Sequence, residues 1–256
     1  MDQVRTELQA NVLQIVIDRP DKKNALTAPM YVALTQAFEQ AERNREVRVI
    51  VLRGTGDSFS AGNDIEDFLQ KPWKNDSIPP QERFMRAVAN ATRPVIAAVQ
   101  GSAVGIGTTI LLHCDLVYAA DNAKFLMPFV SLGIVPEAGS TLLLPLLVGH
   151  RVAAELLLLA TPFSAQRAHE LGLVNHVVPV TELLTAVHTA AQQLAAKPTA
   201  AVRMSKELLK GHFRDDLDRV IRAEMQAVAQ RLGSPETAEA LNAFLEKRKP
   251  DFSKFN

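Results

Sequence analysis

Short apolar runs and helical stripes alternate through the first part of the chain, and their order predicts the fold class. Val12 to Ile17 reads as a strand stopped by Arg19-Pro20-Asp21. From Pro29 to Asn44, the residues Met30, Leu34, Ala37, Phe38 and Ala41 recur on one helical face. Val47 to Leu52 is almost wholly apolar, as for a strand buried on both faces of a sheet. Glu82 to Thr92 predicts a helix ending before Pro94, and Val95 to Val99 a third strand. Thr108 to His113 predicts another helix and Leu116 to Ala119 a fourth strand. Phe125 to Leu132 is a short apolar segment, and Pro136 is expected to start a helix running towards Val148. Strands and helices in this order, joined by short links, define an α/β protein with right-handed crossovers. Gln70 to Pro80, with Trp73 and two consecutive prolines, is the most loop-like stretch.

Beyond Pro179 the expected strands stop. Thr181 to Ala196, Thr199 to Lys210, Asp216 to Leu232 and Pro235 to Lys247 read as successive helices. The chain therefore divides into an α/β core over residues 1–195 and a helical region over 196–256. That region is rich in Ala and Leu, and its apolar faces need cover, either from a core of its own or from a neighbouring subunit.

Composition narrows the function classes. The 256 residues carry 28 basic and 28 acidic side chains, so no net field favours nucleic acid or an anionic membrane. No apolar run approaches the roughly 18–20 residues of a membrane span. The N-terminus lacks the pattern of a secretory signal, and a soluble cytoplasmic protein is expected. A single cysteine, Cys114, excludes an intramolecular disulfide, and its apolar surroundings predict an inert buried thiol. The six histidines show no metal-ligand spacing, so no metal is expected. A Gly-x-Ser-x-Gly elbow is absent too, which leaves Ser-His-Asp catalysis without its nucleophile turn.

Two glycine-flanked helix starts carry the candidate chemistry. Phe59-Ser60-Ala61-Gly62-Asn63-Asp64 follows the Val47–Leu52 strand, and Asp64 is placed to cap a helix beginning at Ile65. Gly101-Ser102-Ala103-Val104-Gly105-Ile106-Gly107 leads into the next such helix. Each is open to two readings: a packing turn that needs a glycine, or a cradle of free N–H groups for an anion.

These segments, together with Asn24-Ala25-Leu26, Arg93-Pro94-Val95-Ile96-Ala97-Ala98-Val99-Gln100 and Cys114-Asp115, resemble the enoyl-CoA hydratase/isomerase (crotonase) superfamily. The similarity extends to Ala168-x-x-Leu171-Gly172-Leu173-Val174 and Phe244-Leu245-Glu246-Lys247-Arg248-x-Pro250-x-Phe252, and so covers nearly the whole chain. It implies a spiral of ββα units with a C-terminal helical trimerisation region, assembled as homotrimers or hexamers. It also implies an acyl-CoA substrate whose thioester oxygen is held by the backbone N–H groups of Ala61 and Ile106. No separate cofactor is implied, since coenzyme A is part of the substrate.

The same resemblance bears on the reaction. The two glutamates of the hydratases would fall at Thr109 and Phe129, and neither is acidic. The segment Leu132-Gly133-Ile134-Val135-Pro136-Glu137-Ala138-Gly139-Ser140, with Met127-Pro128-Phe129 before it, is similar to the Δ3,Δ2-enoyl-CoA isomerases, where the Glu of this motif is the acid/base. Glu137 is then expected to move a proton from C2 to C4 of a 3-enoyl-CoA. Read without the family, Glu137 is simply an acid in the first turn of the helix expected from Pro136. Lys22, Lys23 and Ala25 would flank the nucleotide half of CoA; Gly62, Asn63, Asp64 and Ile65 would lie along the substrate, with Asp64 itself serving as a cap and Asp115 as a turn residue. Phe68, Trp73 and Met85 are candidates for the acyl tunnel. The rival readings are hydration with relocated acids, thioester hydrolysis, and an idle acyl-CoA-binding subunit.

Overall fold

The structure, a computed structural model, describes residues 3–70 and 78–255, and at 68–70 the backbone alone. Nine strands and eleven α-helices occur among the described residues. The strands are β1 (Val4–Gln9), β2 (Val12–Ile17), β3 (Val49–Gly54), β4 (Val95–Val99), β5 (Ser102–Val104), β6 (Leu116–Ala120), β7 (Lys124–Leu126), β8 (Phe163–Ser164) and β9 (His176–Val178). The helices of the first part are α1 (Ala28–Arg43), α2 (Ile65–Gln70), α3 (Pro80–Ala89), α4 (Ile106–Thr109), α5 (Ser140–Val148), α6 (His150–Ala154) and α7 (Ala165–Glu170). Then come α8 (Leu183–Ala195), α9 (Thr199–Gly211), α10 (Arg214–Leu232) and α11 (Pro235–Leu245).

A six-stranded sheet runs in the order β1-β2-β3-β4-β6-β9, parallel except for the β1–β2 hairpin. A second sheet has three strands in the order β5-β7-β8. The central strands β3 and β4 are buried on both faces, which is why their sequences are continuous apolar runs. One face meets the main core, with α1, α3 and the smaller sheet; the other is covered by α8 through Leu183, Val187 and Ala191. β1 is exposed and polar, VRTELQ, so no apolar run announces it.

Two expectations need amendment. The helix expected from Pro136 starts at Ser140 instead, because Ala138 (φ 62°) and Gly139 (φ 69°) are both left-handed and break the helical path. Glu137 therefore stands on an irregular turn, and the first-helical-turn reading of it does not apply. The region beyond residue 195 is helical, but Ile221 and Met225 of α10 belong to the main core cluster, and α10 packs on α3 and α5 of the first part, so it has no separate core.

Candidate active site

The loop after β3 is built against a tightly bonded neighbour. Asn24, fully buried, donates through its side-chain amide to the Thr55 and Ser58 carbonyls and accepts from the Arg19 N–H. Ser60 forms a parallel bridge with Ala103, and Asn63 one with Leu26. The first bridge ties the loop to the segment leading into α4, the second to the segment leading into α1. Gly62 (φ 87°) passes so close that a Cβ there would sit 2.7 Å from the Val104 carbonyl oxygen.

The bridges decide which N–H groups are available. The Ala61 N–H donates to the Lys23 carbonyl at 2.9 Å, so it is already occupied and does not face an open cleft. The expectation that Ala61 supplies a free donor is corrected on that ground. The Gly62 N–H is held by the Ser60 hydroxyl. In the Leu26–Asn63 bridge, Leu26 takes the Gly62 carbonyl and the Asp64 N–H, so the N–H of Asn63 itself points the other way. Among the described residues it has no acceptor. The same holds for the Ile106 N–H, at the first position of α4 just after the turn at Gly105. The Ile106 side chain is fully buried in the main core.

Glu137 is 5% exposed, and its Oε1 is buried with no hydrogen-bond partner among the described residues. Burial, with the Glu224 carboxylate nearby, pushes its carboxyl up to about 8. Tyr31 is bonded to the loop and lies within reach of the charge of this acid. Its phenol, fully buried, donates to the Asn63 Oδ1 at 2.6 Å, and the charge of Glu137 helps burial to raise the phenol above its ordinary value. The charge of Glu137 is thus felt at the phenol that bonds the Asn63 side chain.

Other acids here are engaged. Glu224 of α10 accepts the Gly139 N–H at 2.6 Å, the Thr141 N–H at 2.9 Å and the Thr141 hydroxyl at 2.6 Å. Burial raises its carboxyl, against the lowering effect of those bonds. Asp64 caps α2 through the Asp67 N–H and pairs with Arg19 at 2.6 Å. Asp115 accepts the Val95 N–H and pairs with Lys206 of α9. Thr109, fully buried, bonds back to the Gly105 carbonyl, and Phe129 is buried, so the positions of the hydratase glutamates are closed by uncharged side chains. Burial raises the Cys114 thiol to about 12, far from a thiolate.

The remaining sequence candidates fall as follows. Lys22 and Lys23 are exposed beside the Asn24 loop, with no ion pair among the described residues. Ala25 is half-buried, its carbonyl held by Arg19; Ile65 opens α2. Met85 is sealed in the core with Phe84 and Val88. Trp73 and the Phe68 side chain lie outside the described residues. Glu224, His113 and Tyr31 carried no sequence signal: each becomes part of the site through a contact far away in the chain.

A loop donor, a helix-start donor and a buried carboxyl with one unpartnered oxygen are the groups an enzyme needs to hold a developing oxyanion and move a proton. Family comparison agrees: the model described as enoyl-CoA hydratase/isomerase matches residues 7–255. The chain belongs to the enoyl-CoA hydratase/isomerase family. It is 34% identical to enoyl-CoA delta isomerase 3, peroxisomal, of Mus musculus, over 93% of this chain and 76% of that protein. It is 36% identical to crotonyl-CoA hydratase of Syntrophomonas wolfei, over 96% of each. A crystal structure of an enoyl-CoA hydratase/isomerase from Pseudoalteromonas atlantica T6c superposes with a TM-score of 0.94 at 37% identity, covering 98% of this chain and 100% of the other.

Proposed function

We propose that this chain is a double-bond isomerase that converts 3-enoyl-CoA to 2-enoyl-CoA, with Glu137 as the single acid/base. The observation that carries the reading is the buried Glu137 carboxyl, which has no donor on Oε1 and whose affinity for a proton is raised by its surroundings. Such a group accepts a proton readily once charged and gives it back readily, which is what a two-way transfer needs.

The steps follow from the chemistry of the thioester. The Glu137 carboxylate takes a proton from C2, and the electron pair spreads over the thioester oxygen and C4. The N–H groups of Asn63 and Ile106 hold the oxygen as charge develops on it, each worth roughly 3–4 kcal/mol in such a site. Neutral Glu137 then returns the proton to C4, leaving the double bond between C2 and C3. The exposed charges of Lys22 and Lys23 suit them to bind the phosphates of CoA. The exposed apolar side chains Met204, Leu208 and Leu209 of α9 and Phe244 and Leu245 of α11 favour a homotrimer or hexamer.

Hydration is the rival, since a hydratase is among the relatives. Thr109 and Phe129 argue against it, because neither can hold and deprotonate a water. Offering purified protein 3-hexenoyl-CoA and, separately, crotonyl-CoA distinguishes the two. Isomerisation predominating over hydration supports the proposal; rapid hydration of crotonyl-CoA with no conversion of the 3-enoyl thioester refutes it.

A further inference from the structure

The turn that presents Glu137 is unusual in its backbone. Ala138 and Gly139 are consecutive left-handed residues, and only one of them is glycine. Backbone of this kind persists where surrounding contacts over-determine it. Two such contacts exist. Glu224 of α10 accepts the Gly139 N–H on one side. On the other, the His113 ring lies 2.7 Å through Nε2 from the Ala138 carbonyl.

His113 is 1% exposed, and burial with the positive charge of Lys210 lowers its pKa to about 4. It is therefore neutral at physiological pH. A neutral ring facing a carbonyl oxygen must carry its proton on Nε2, so the ring donates and the carbonyl accepts. His113 also closes the short helical segment that begins with Ile106. One rigid piece of chain thus bears an oxyanion donor at its start and the strut of the base turn at its end.

We propose that His113 is a positioning residue: by holding the Ala138 carbonyl it fixes the turn that aims the Glu137 carboxyl, and it sets that carboxyl relative to the Ile106 N–H. The inference rests on the reading of Glu137 as the acid/base. His113 touches no reacting atom, and its effect is on aim and enclosure. A displacement of the base by about 1 Å can cost on the order of 100-fold in rate.

The test compares His113→Phe, His113→Asn and His113→Gln in the full chain, with Glu137→Gln in parallel on a 3-enoyl-CoA. Phe keeps the volume without a donor, Asn is too short to reach the carbonyl, and Gln can still donate to it. The groups facing Glu137 are Glu224 from α10 and Tyr31 from α1; those facing His113 are Lys206 and Lys210 from α9. All four are unchanged in these variants. The expected result is a kcat lower by about 10–100-fold in the Phe variant, with KM within about 2-fold. Its rising limb of kcat should also move to lower pH, as water reaches the loosened carboxyl. The Asn variant should behave alike, which covers a Phe variant that fails to fold, and the Gln variant should recover most of the rate and the wild-type limb. The proposal is overturned if the donor-less variants keep wild-type kcat and limb. It is equally overturned if all three variants lose rate alike with the limb unmoved, as loss of packing alone would do. Should Glu137→Gln keep full rate, the base assignment falls and takes this inference with it. Should Glu137→Gln lose activity while His113→Phe does not, only this inference falls.

Discussion

Glu137 is at odds with its surroundings whenever it is charged, and that tension is measurable. Its folded pKa of about 8 lies above the ordinary 4.5, so the folded state binds the proton more tightly than the unfolded state. The associated stability is fully present below the unfolded value and is lost as pH rises through about 8. Glu137→Gln removes that loss. Thermal melts should show the Gln variant more stable than wild type, with the gap widening from pH 5 to pH 8 and levelling above. An unchanging gap would contradict a buried, high-pKa acid. Ile106 permits a second test at the same scale. As the first residue of α4 its N–H has no helical acceptor, and proline is tolerated at that position. Ile106→Pro should keep the secondary structure, lower the melting temperature through the lost buried side chain, and lower kcat by about 100- to 1,000-fold, the usual cost of one oxyanion donor. Steady-state kinetics beside a circular dichroism spectrum would check it.

At the scale of elements, the site depends on contacts made far along the chain. Glu224 satisfies two N–H groups at the start of α5 from a helix more than eighty residues away. Glu224→Ala should lower thermal stability by about 1–3 kcal/mol for each buried group left without a partner. It should also shift the rising limb of kcat to lower pH, since the Glu224 charge helps hold the Glu137 carboxyl up. A variant with unchanged melting and unchanged pH profile would count against the linkage.

These same contacts mark the limit of what could be read from residues alone. The buried strands β2, β3, β4 and β6 were legible because each is a bounded apolar run, and the long helices because their apolar stripes have helical spacing. β1 was not, being an exposed polar edge. The start of α5 lies later than the sequence suggests because proline followed by an acid looks like a helix start, while a left-handed alanine leaves no trace in sequence. The free donor of the opening loop lies two residues beyond Ala61 for a related reason. Whether Ala61 or Asn63 faces outward is set by the bridge to Leu26, a partner more than thirty residues away.

For the whole molecule, the chain is expected to function as an assembly. The outward face of α9 exposes Met204, Leu208 and Leu209 by 66–76%, an apolar surface whose covering is favourable in water. Sedimentation at micromolar concentration should give a trimer or hexamer, and a monomer would contradict the proposed quaternary state. The family of this chain includes both hydratases and isomerases, and the proposal gives the choice between them to Glu137, with Thr109 and Phe129 uncharged. The most direct test is therefore the rate at which wild type and Glu137→Gln convert 3-hexenoyl-CoA to its conjugated isomer, followed by thioester absorbance at pH 8. Wild type should turn over, with the Gln variant slower by at least about 100-fold and still binding CoA. Equal rates, or no conversion by wild type at all, would contradict Glu137 as the base of an enoyl-CoA isomerase.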